Sequence, residues 1–380
     1  MSARAGFPLR SLLKCGAALL IAASVLPPTA GAGQASPFTL GAGATQVWTD
    51  NVFGTEPSPG DGITDGRGWL SWSHASRWRL GASGRLLRFQ DNPDLNHGYV
   101  TLMAEAMPSA SGARTRVQAG VSSAWRLNGS LYEPFNYRDT SAYATLRHYL
   151  AEGFSAQLRA DLSAREYPEQ VIEDARKAWL SVRLQKSLPT RTSVTLSLRG
   201  GWKAYVDEAQ SDAAVRELNV QAAQSISPRL ALRAWWSDAN LYEHGSAAAQ
   251  MEAFDNPLLD EFSFDGRRLG TSLKVIMPWN LTAELAGERA WLDYPGRPPA
   301  LYDPLADTFV LNGELLALAE GERSDAVTRL RLALERRGAR LFGTSRVDLN
   351  AAVEWSDQES NDLYWQWSGW SVQAGASVEF

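Results

Sequence analysis

Trp370-Ser371-Val372-Gln373-Ala374-Gly375-Ala376-Ser377-Val378-Glu379-Phe380 closes the chain and decides how the rest is read. Trp370, Val372, Ala374, Ala376, Val378 and Phe380 share one parity, while Ser371, Gln373, Ser377 and Glu379 share the other. Successive side chains of an extended strand point to opposite faces, so this segment has one apolar face and one polar face. A helix of the same length would mix the two sets.

Working back from the end, the same alternation recurs in segments near 38–50, 67–74, 78–90, 99–107, 114–127, 140–149, 154–166, 176–186, 192–204, 216–226, 230–241, 267–277, 281–293, 326–336 and 346–357, with 365–380 the last. Strands with lipid on one side and water on the other must alternate in this way. A soluble β-sandwich alternates too, and connector length separates the two readings. Links after even strands are short, as in Ser227-Pro228-Arg229 and Pro278-Trp279-Asn280, and links after odd strands are long and polar, as in Asn51–Asp65, Tyr242–Asp265 and Pro295–Asp325. Short turns on one rim and long loops on the other predict an all-β fold: a transmembrane up-and-down antiparallel β-barrel of about 16 strands, within 14–18. The link at Arg337–Ser345 is long for its rim and leaves room for a slip in that count. No run of about twenty apolar residues follows the N-terminal segment, which removes a helical membrane protein.

That segment reads as an export signal. Arg4, Arg10 and Lys14 give a positive start, Leu12 to Leu26 is mostly apolar, and Ala30-Gly31-Ala32 offers small residues for cleavage. Residues 1–32 are therefore expected to be removed, leaving 33–380 as the barrel. Cys15 goes with them, and Lys14 before it does not fit a lipoprotein site, so neither disulfide nor thiol chemistry is expected. Losing three positive charges takes the formal balance from −5 to −8. Nucleic acid is an unsuitable partner for so acidic a chain.

The aromatic residues gather at strand ends. Trp48, Trp125, Trp202, Trp236, Trp291 and Trp355 end ascending strands and Trp69, Trp365 and Trp367 begin descending ones, while Trp78, Tyr149, Phe154, Trp279 and Phe380 lie toward the opposite rim. Two girdles at headgroup level are the expectation. With these features the chain resembles bacterial outer-membrane β-barrel proteins of the porin-like kind over its whole length after the signal, although no motif ties it to one family. The resemblance implies an integral outer-membrane location, contact with membrane lipid and lipopolysaccharide, and small solutes as cargo. It also implies that the C-terminal strand, with Trp370, Val372, Val378 and Phe380, is the signal read by the barrel-assembly machinery. No plug domain, peptidoglycan-binding domain or helical periplasmic repeat is expected beside the barrel.

Function then rests on the polar faces. Taken as inward, they carry Arg85, Arg116, Arg147, Arg159, Arg165, Arg183, Arg199, Lys203, Arg233, Arg268, Lys274, Arg329 and Arg331 against Glu105, Asp161, Glu284, Glu288, Glu335, Asp348, Glu354 and Glu379. A barrel of this width holds water, and a basic surplus would concentrate anions, which points to a channel for passive diffusion with weak anion preference. Pairing of opposite charges across strands, merely stiffening the wall, is the competing reading. Tyr99, Tyr143, Trp179 and Trp235 leave open an export port for a polysaccharide or other polymer, because inward rings can stack on sugars. A structural, assembly or enzymatic surface barrel is the remaining alternative. The four histidines, His74, His97, His148 and His244, are scattered and suggest no catalytic relay, and no metal site or cofactor is expected. Two loops invite attention: Pro295–Asp325, where Asn312 would cap a short helix through Leu315, Leu316 and Leu318 and so narrow the mouth, and Tyr242–Asp265, whose Asp255, Asp260, Glu261 and Asp265 read as a solvated acidic stretch.

Overall fold

The computed structural model of the chain describes residues 37–51, 60–74, 77–108, 113–171, 174–207, 212–243, 262–296, 301–303, 308–310, 321–340, 346–362 and 365–380. The expected export signal, the helix sought around Leu315–Leu318 and the carboxylates Asp255, Asp260 and Glu261 lie outside these residues. Strands dominate: β1 (Phe38–Thr49), β2 (Asp61–His74), β3 (Trp78–Phe89), β4 (His97–Ala106), β5 (Thr115–Asn128), β6 (Tyr137–Ala151), β7 (Phe154–Glu166), β8 (Ala175–Ser187), β9 (Thr192–Tyr205), β10 (Ala213–Ser227), β11 (Leu230–Glu243), β12 (Asp265–Met277), β13 (Leu281–Tyr294), β14 (Leu301–Asp303), β15 (Thr308–Val310), β16 (Arg323–Arg340), β17 (Arg346–Ser360) and β18 (Trp367–Glu379). β14 and β15 form a small hairpin of their own, and the sixteen long strands form a closed barrel. Every neighbouring pair in it is antiparallel.

Closure is made by the two ends of the chain. β1 runs against β18 from Gly41 opposite Glu379 to Thr49 opposite Ser371. Beyond that ladder Phe380 N–H donates to the Leu40 carbonyl at 2.9 Å and Leu40 N–H to the Phe380 carbonyl at 3.5 Å, so Phe380 extends the seam by one more pair of bonds. A closed sheet leaves no unpaired edge, which is what permits a strand structure to cross a bilayer.

The register separates the two faces without ambiguity. Leu102, Leu158, Leu162, Leu180, Leu198, Leu285 and Leu330 share one face and are exposed, as a lipid-facing band requires. Residues of the other parity reach over an intervening strand: the Tyr143 hydroxyl on β6 donates to Glu105 on β4 at 2.5 Å, and Trp235 Nε1 on β11 to Glu288 on β13 at 3.1 Å. Only the concave side of a curved sheet brings next-but-one strands so close. That side is the lumen.

Several strand limits move outward. β2 begins at Asp61 rather than near 67, because the Asp61 carboxylate accepts the backbone N–H groups of Gln90, Asp91 and Asn92 and anchors the hairpin arm beside the β3–β4 loop. β16 and β17 extend to Arg340 and Arg346 across a bulge at Arg336 and Ala339. The connection expected to be awkward thus shrinks to 341–345, and the count of sixteen needs no slip.

The aromatic girdle is confirmed in part. Trp48, Trp125, Trp202, Trp236, Trp291 and Trp355 have outward parity near the long-loop rim, joined by Trp370, whose ring lies 6.5 Å from that of Trp355. Trp69, Trp365 and Trp367 do not belong to it. Trp69 covers Gly41 inside the barrel, Trp367 donates from Nε1 to Gln358 at 3.2 Å, and Trp365 packs on Arg323. Tyr149 is likewise internal, lying against Arg116 and Arg147.

Candidate functional site: a basic, aromatic-faced lumen

The expected inward cations, Arg85, Arg116, Arg147, Arg159, Arg165, Arg183, Arg199, Lys203, Arg233, Arg268, Lys274, Arg329 and Arg331, all have lumen parity. Arg67, Arg79, Arg126, Lys177, Arg323 and Arg346 join them. Sequence reading passed these six over. Each sits an even number of residues from a lumen-facing residue of its own strand, so parity alone was enough to find them.

Two wall regions differ in how the charges are arranged. On β13, β16 and β17, Glu288 lies opposite Arg329 and Arg331 opposite Glu354, and on β12 Lys274 lies opposite Glu284. Cation and carboxylate are matched there strand by strand. Elsewhere many arginines are held tightly: Arg85 makes a two-pronged contact with Asp65 at 2.9 and 3.0 Å, Arg159 grips Asp161 two residues along its own strand at 2.9 and 2.8 Å, and Arg165 reaches Asp139 at 3.3 Å. Arg199 pairs with Glu217 at 2.5 Å and Arg233 with Glu284 at 3.9 Å. Arg159 does not bridge to a neighbouring strand: its partner Asp161 shares its strand and face. The competing reading of charge pairing therefore holds for these residues. It fails for Arg116, Arg147 and Arg183, which have no carboxylate within ion-pair distance among the described residues.

The inward rings are built into the wall in a repeated way. Trp69 lies over Gly41, Tyr143 over Gly120, Trp179 over Gly201 and Trp235 over Gly270, each ring filling the place where the glycine would carry a side chain. A Cβ on Gly120 would stand 2.6 Å from the Tyr143 ring, and one on Gly201 2.5 Å from Trp179. Only the missing side chain lets these rings lie flat. Arginines stack on the same rings: Arg159 is 4.4 Å from the Tyr143 ring centre, Arg199 4.4 Å from Trp179, and Arg233 4.8 Å from Trp235. Glycine, ring and guanidinium thus pack against one another. Each of these three rings lies against a glycine and carries a guanidinium over it, which argues against their stacking on sugars.

At the long-loop end the lumen narrows from an unexpected side. Phe262, Ser263 and Phe264, just before β12, fold inward rather than into solvent. Phe262 crosses to β8, where its ring lies 4.9 Å from Trp179, and it packs on Ala213 and Val215 of β10. Phe264 joins Ala290, Leu292, Tyr294 and Val327 in a second apolar cluster. Beside it Arg323 is fully buried, ion-paired with Asp325 and placed over the rings of Tyr294 and Trp365 at 4.3 and 4.2 Å. The loop expected to narrow the mouth, Pro295–Asp325, lies largely outside the described residues, and the inward segment seen at this end is the close of the Tyr242–Asp265 loop. Asp265 itself accepts the Leu241 N–H and ties that loop to β11.

Among the described residues, His97 contacts Tyr99 and the Leu95 carbonyl, His148 the Thr115 hydroxyl, and His74 the Trp72 ring, three separate places. No cluster of three metal-binding side chains occurs among those residues.

Neither a protein-family model nor a curated protein matches the sequence. Solved structures do. CdiB from Acinetobacter baumannii superposes with a TM-score of 0.53 at 7% identity over 91% of this chain, which spans 60% of that one. OccD3 (OpdP) of Pseudomonas aeruginosa superposes with a TM-score of 0.50 at 11% identity, covering 94% of this chain and 96% of its own. At such identities the likeness is one of fold. The chain shares with them the fold of a closed antiparallel outer-membrane β-barrel.

Proposed function

We propose that the protein is a passive outer-membrane channel for small solutes with a weak preference for anions. The observation that carries this reading is the lumen wall itself: in a closed barrel of sixteen strands the rings lie flat over glycines, and arginines without carboxylate partners remain among those facing the water. A sheet of this circumference encloses more space than its side chains fill. Fixed positive charge between low-dielectric walls raises the local concentration of anions. A polymer export port is disfavoured because three of the inward rings lie against the wall with an arginine over each.

In this reading residues 1–32 are the cleaved export signal, the short-turn rim is periplasmic, and Trp370, Val372, Val378 and Phe380 engage the barrel-assembly machinery. Lipopolysaccharide surrounds the long-loop rim. Support for that orientation comes from outward arginines gathered there, among them Arg88, Arg138, Arg176, Arg216 and Arg267, where anionic headgroups would meet them. Liposome swelling with matched neutral, anionic and cationic solutes tests the proposal. Entry should be fastest for the anion and slowest for the cation, and vesicles that admit none of the three would exclude an open channel.

A further inference from the structure

We infer that Arg116, Arg147 and Arg183 form a binding site for an oxyanion group, carboxylate or phosphate, on the lumen wall toward the short-turn rim. The inference rests on the channel reading in one respect, that solutes reach the lumen. Arg116 on β5 stands directly opposite Arg147 on β6, Arg147 opposite Gln157 on β7, and Gln157 opposite Arg183 on β8. Like charges directly opposite one another on a sheet repel. Elsewhere on this wall the fold places a carboxylate beside the arginine, as with Arg85, Arg159, Arg165 and Arg199, and here it places Gln157, Gln185, Ser155 and Ser197 instead.

The arrangement is also held in place. The guanidinium carbons of Arg116 and Arg147 lie 5.3 and 5.1 Å from the centre of the Tyr149 ring, which gathers both groups about one aromatic platform. Arg147 Nη2 donates to Ser155 Oγ at 3.2 Å and to Gln185 Oε1 at 3.4 Å, so its planar fork is steered across β7 toward the strand that carries Arg183. Two strand spacings separate β6 from β8, about 10 Å, a gap that two long side chains close around one small anion. Guanidinium forks present paired N–H groups matched to carboxylate and phosphate oxygens, whereas chloride meets them only as a point charge. Neutral partners hold Arg116 and Arg147 without satisfying their charge, and only neutral residues stand opposite Arg183. The oxyanion supplies what the wall omits.

The test is equilibrium dialysis of the purified full-length protein in detergent against inorganic phosphate and, separately, citrate, at constant chloride. Saturable binding of either is expected. The triple variant R116Q/R147Q/R183Q should weaken it at least tenfold, and the outward pair R88Q/R176Q should not. Binding of phosphate alone would identify phosphate as the group, binding of both a general oxyanion site. No saturable binding to wild-type protein, or equal weakening by the outward pair, would overturn the inference. Conductance in planar bilayers separates this outcome from the channel reading: a conducting protein without binding retains the channel and loses the site, and binding without conductance does the reverse.

Discussion

Gly200 and Gly201 are neighbours on β9 that face opposite ways, and the structure predicts opposite consequences for adding one methyl group to each. At Gly200 a Cβ would point outward with its nearest atom, the Val215 carbonyl oxygen, at 4.0 Å. At Gly201 it would stand 2.5 Å from the Trp179 ring, which must then lift off the wall. The backbone benefit of replacing a strand glycine by alanine, about 0.5–1 kcal/mol, is common to both. G201A alone adds an overpacking cost of about 1–3 kcal/mol. It also loosens the stack between Trp179 and Arg199, 4.4 Å apart, which adds about 0.5–1 kcal/mol for a group in water. G201A should therefore be less stable than G200A by about 2 kcal/mol, close to thirtyfold in the unfolding constant. Urea titration of each variant in phospholipid vesicles, followed by tryptophan fluorescence, reads the difference. A lifted Trp179 would also narrow the lumen, so single-channel conductance should fall for G201A and stay unchanged for G200A. Equal stabilities for the two variants would refute the packing of glycine, ring and guanidinium.

Three further outcomes follow from the geometry. Leu180 lies near the middle of β8 and is 56% exposed toward lipid, so L180R should cost about 2–4 kcal/mol in vesicle-unfolding titrations, and a loss under 0.5 kcal/mol would mean that this face does not meet lipid. Phe380 closes the seam with Leu40, and Val378 shares its outward face, so V378D combined with F380D should leave little heat-modifiable, membrane-integrated protein; wild-type levels would contradict the assignment of that strand. Phe262 is anchored against Trp179 across the lumen, so F262A should raise single-channel conductance, and an unchanged value would show that this segment does not limit flow.

Strand number and parity were legible in the sequence because lipid on one face and water on the other impose an alternation that a single shifted residue would reverse. The inward cations followed from it directly. Strand ends were less legible. Asp61-Gly62-Ile63-Thr64-Asp65-Gly66 reads as loop composition, yet the Asp61 carboxylate collects three backbone N–H groups and extends β2 through it. Trp69 and Trp367 were assigned to the girdle by their place along the strand, and their parity, which puts them inside, was the better guide. The inward turn of Phe262–Phe264 had no local signature. Phe262 gains its meaning from Trp179, more than eighty residues earlier in the chain, and Phe264 from Tyr294, thirty residues later. Which arginines are paired was equally hidden, since Arg159 and Arg183 have the same parity and differ only in what the fold sets beside them.

The central claim, an anion-preferring channel, is tested most directly by the reversal potential of purified protein in a planar bilayer under a potassium chloride gradient. The predicted sign is that of chloride carrying more current than potassium, with the preference fading as salt rises toward 1 M, where the Debye length falls to about 3 Å. R329E combined with R331E should move the potential toward cation preference, because each new carboxylate would stand opposite an existing one, Glu288 or Glu354. A cation-selective potential that this double change leaves in place, or a bilayer that never conducts, would contradict the account.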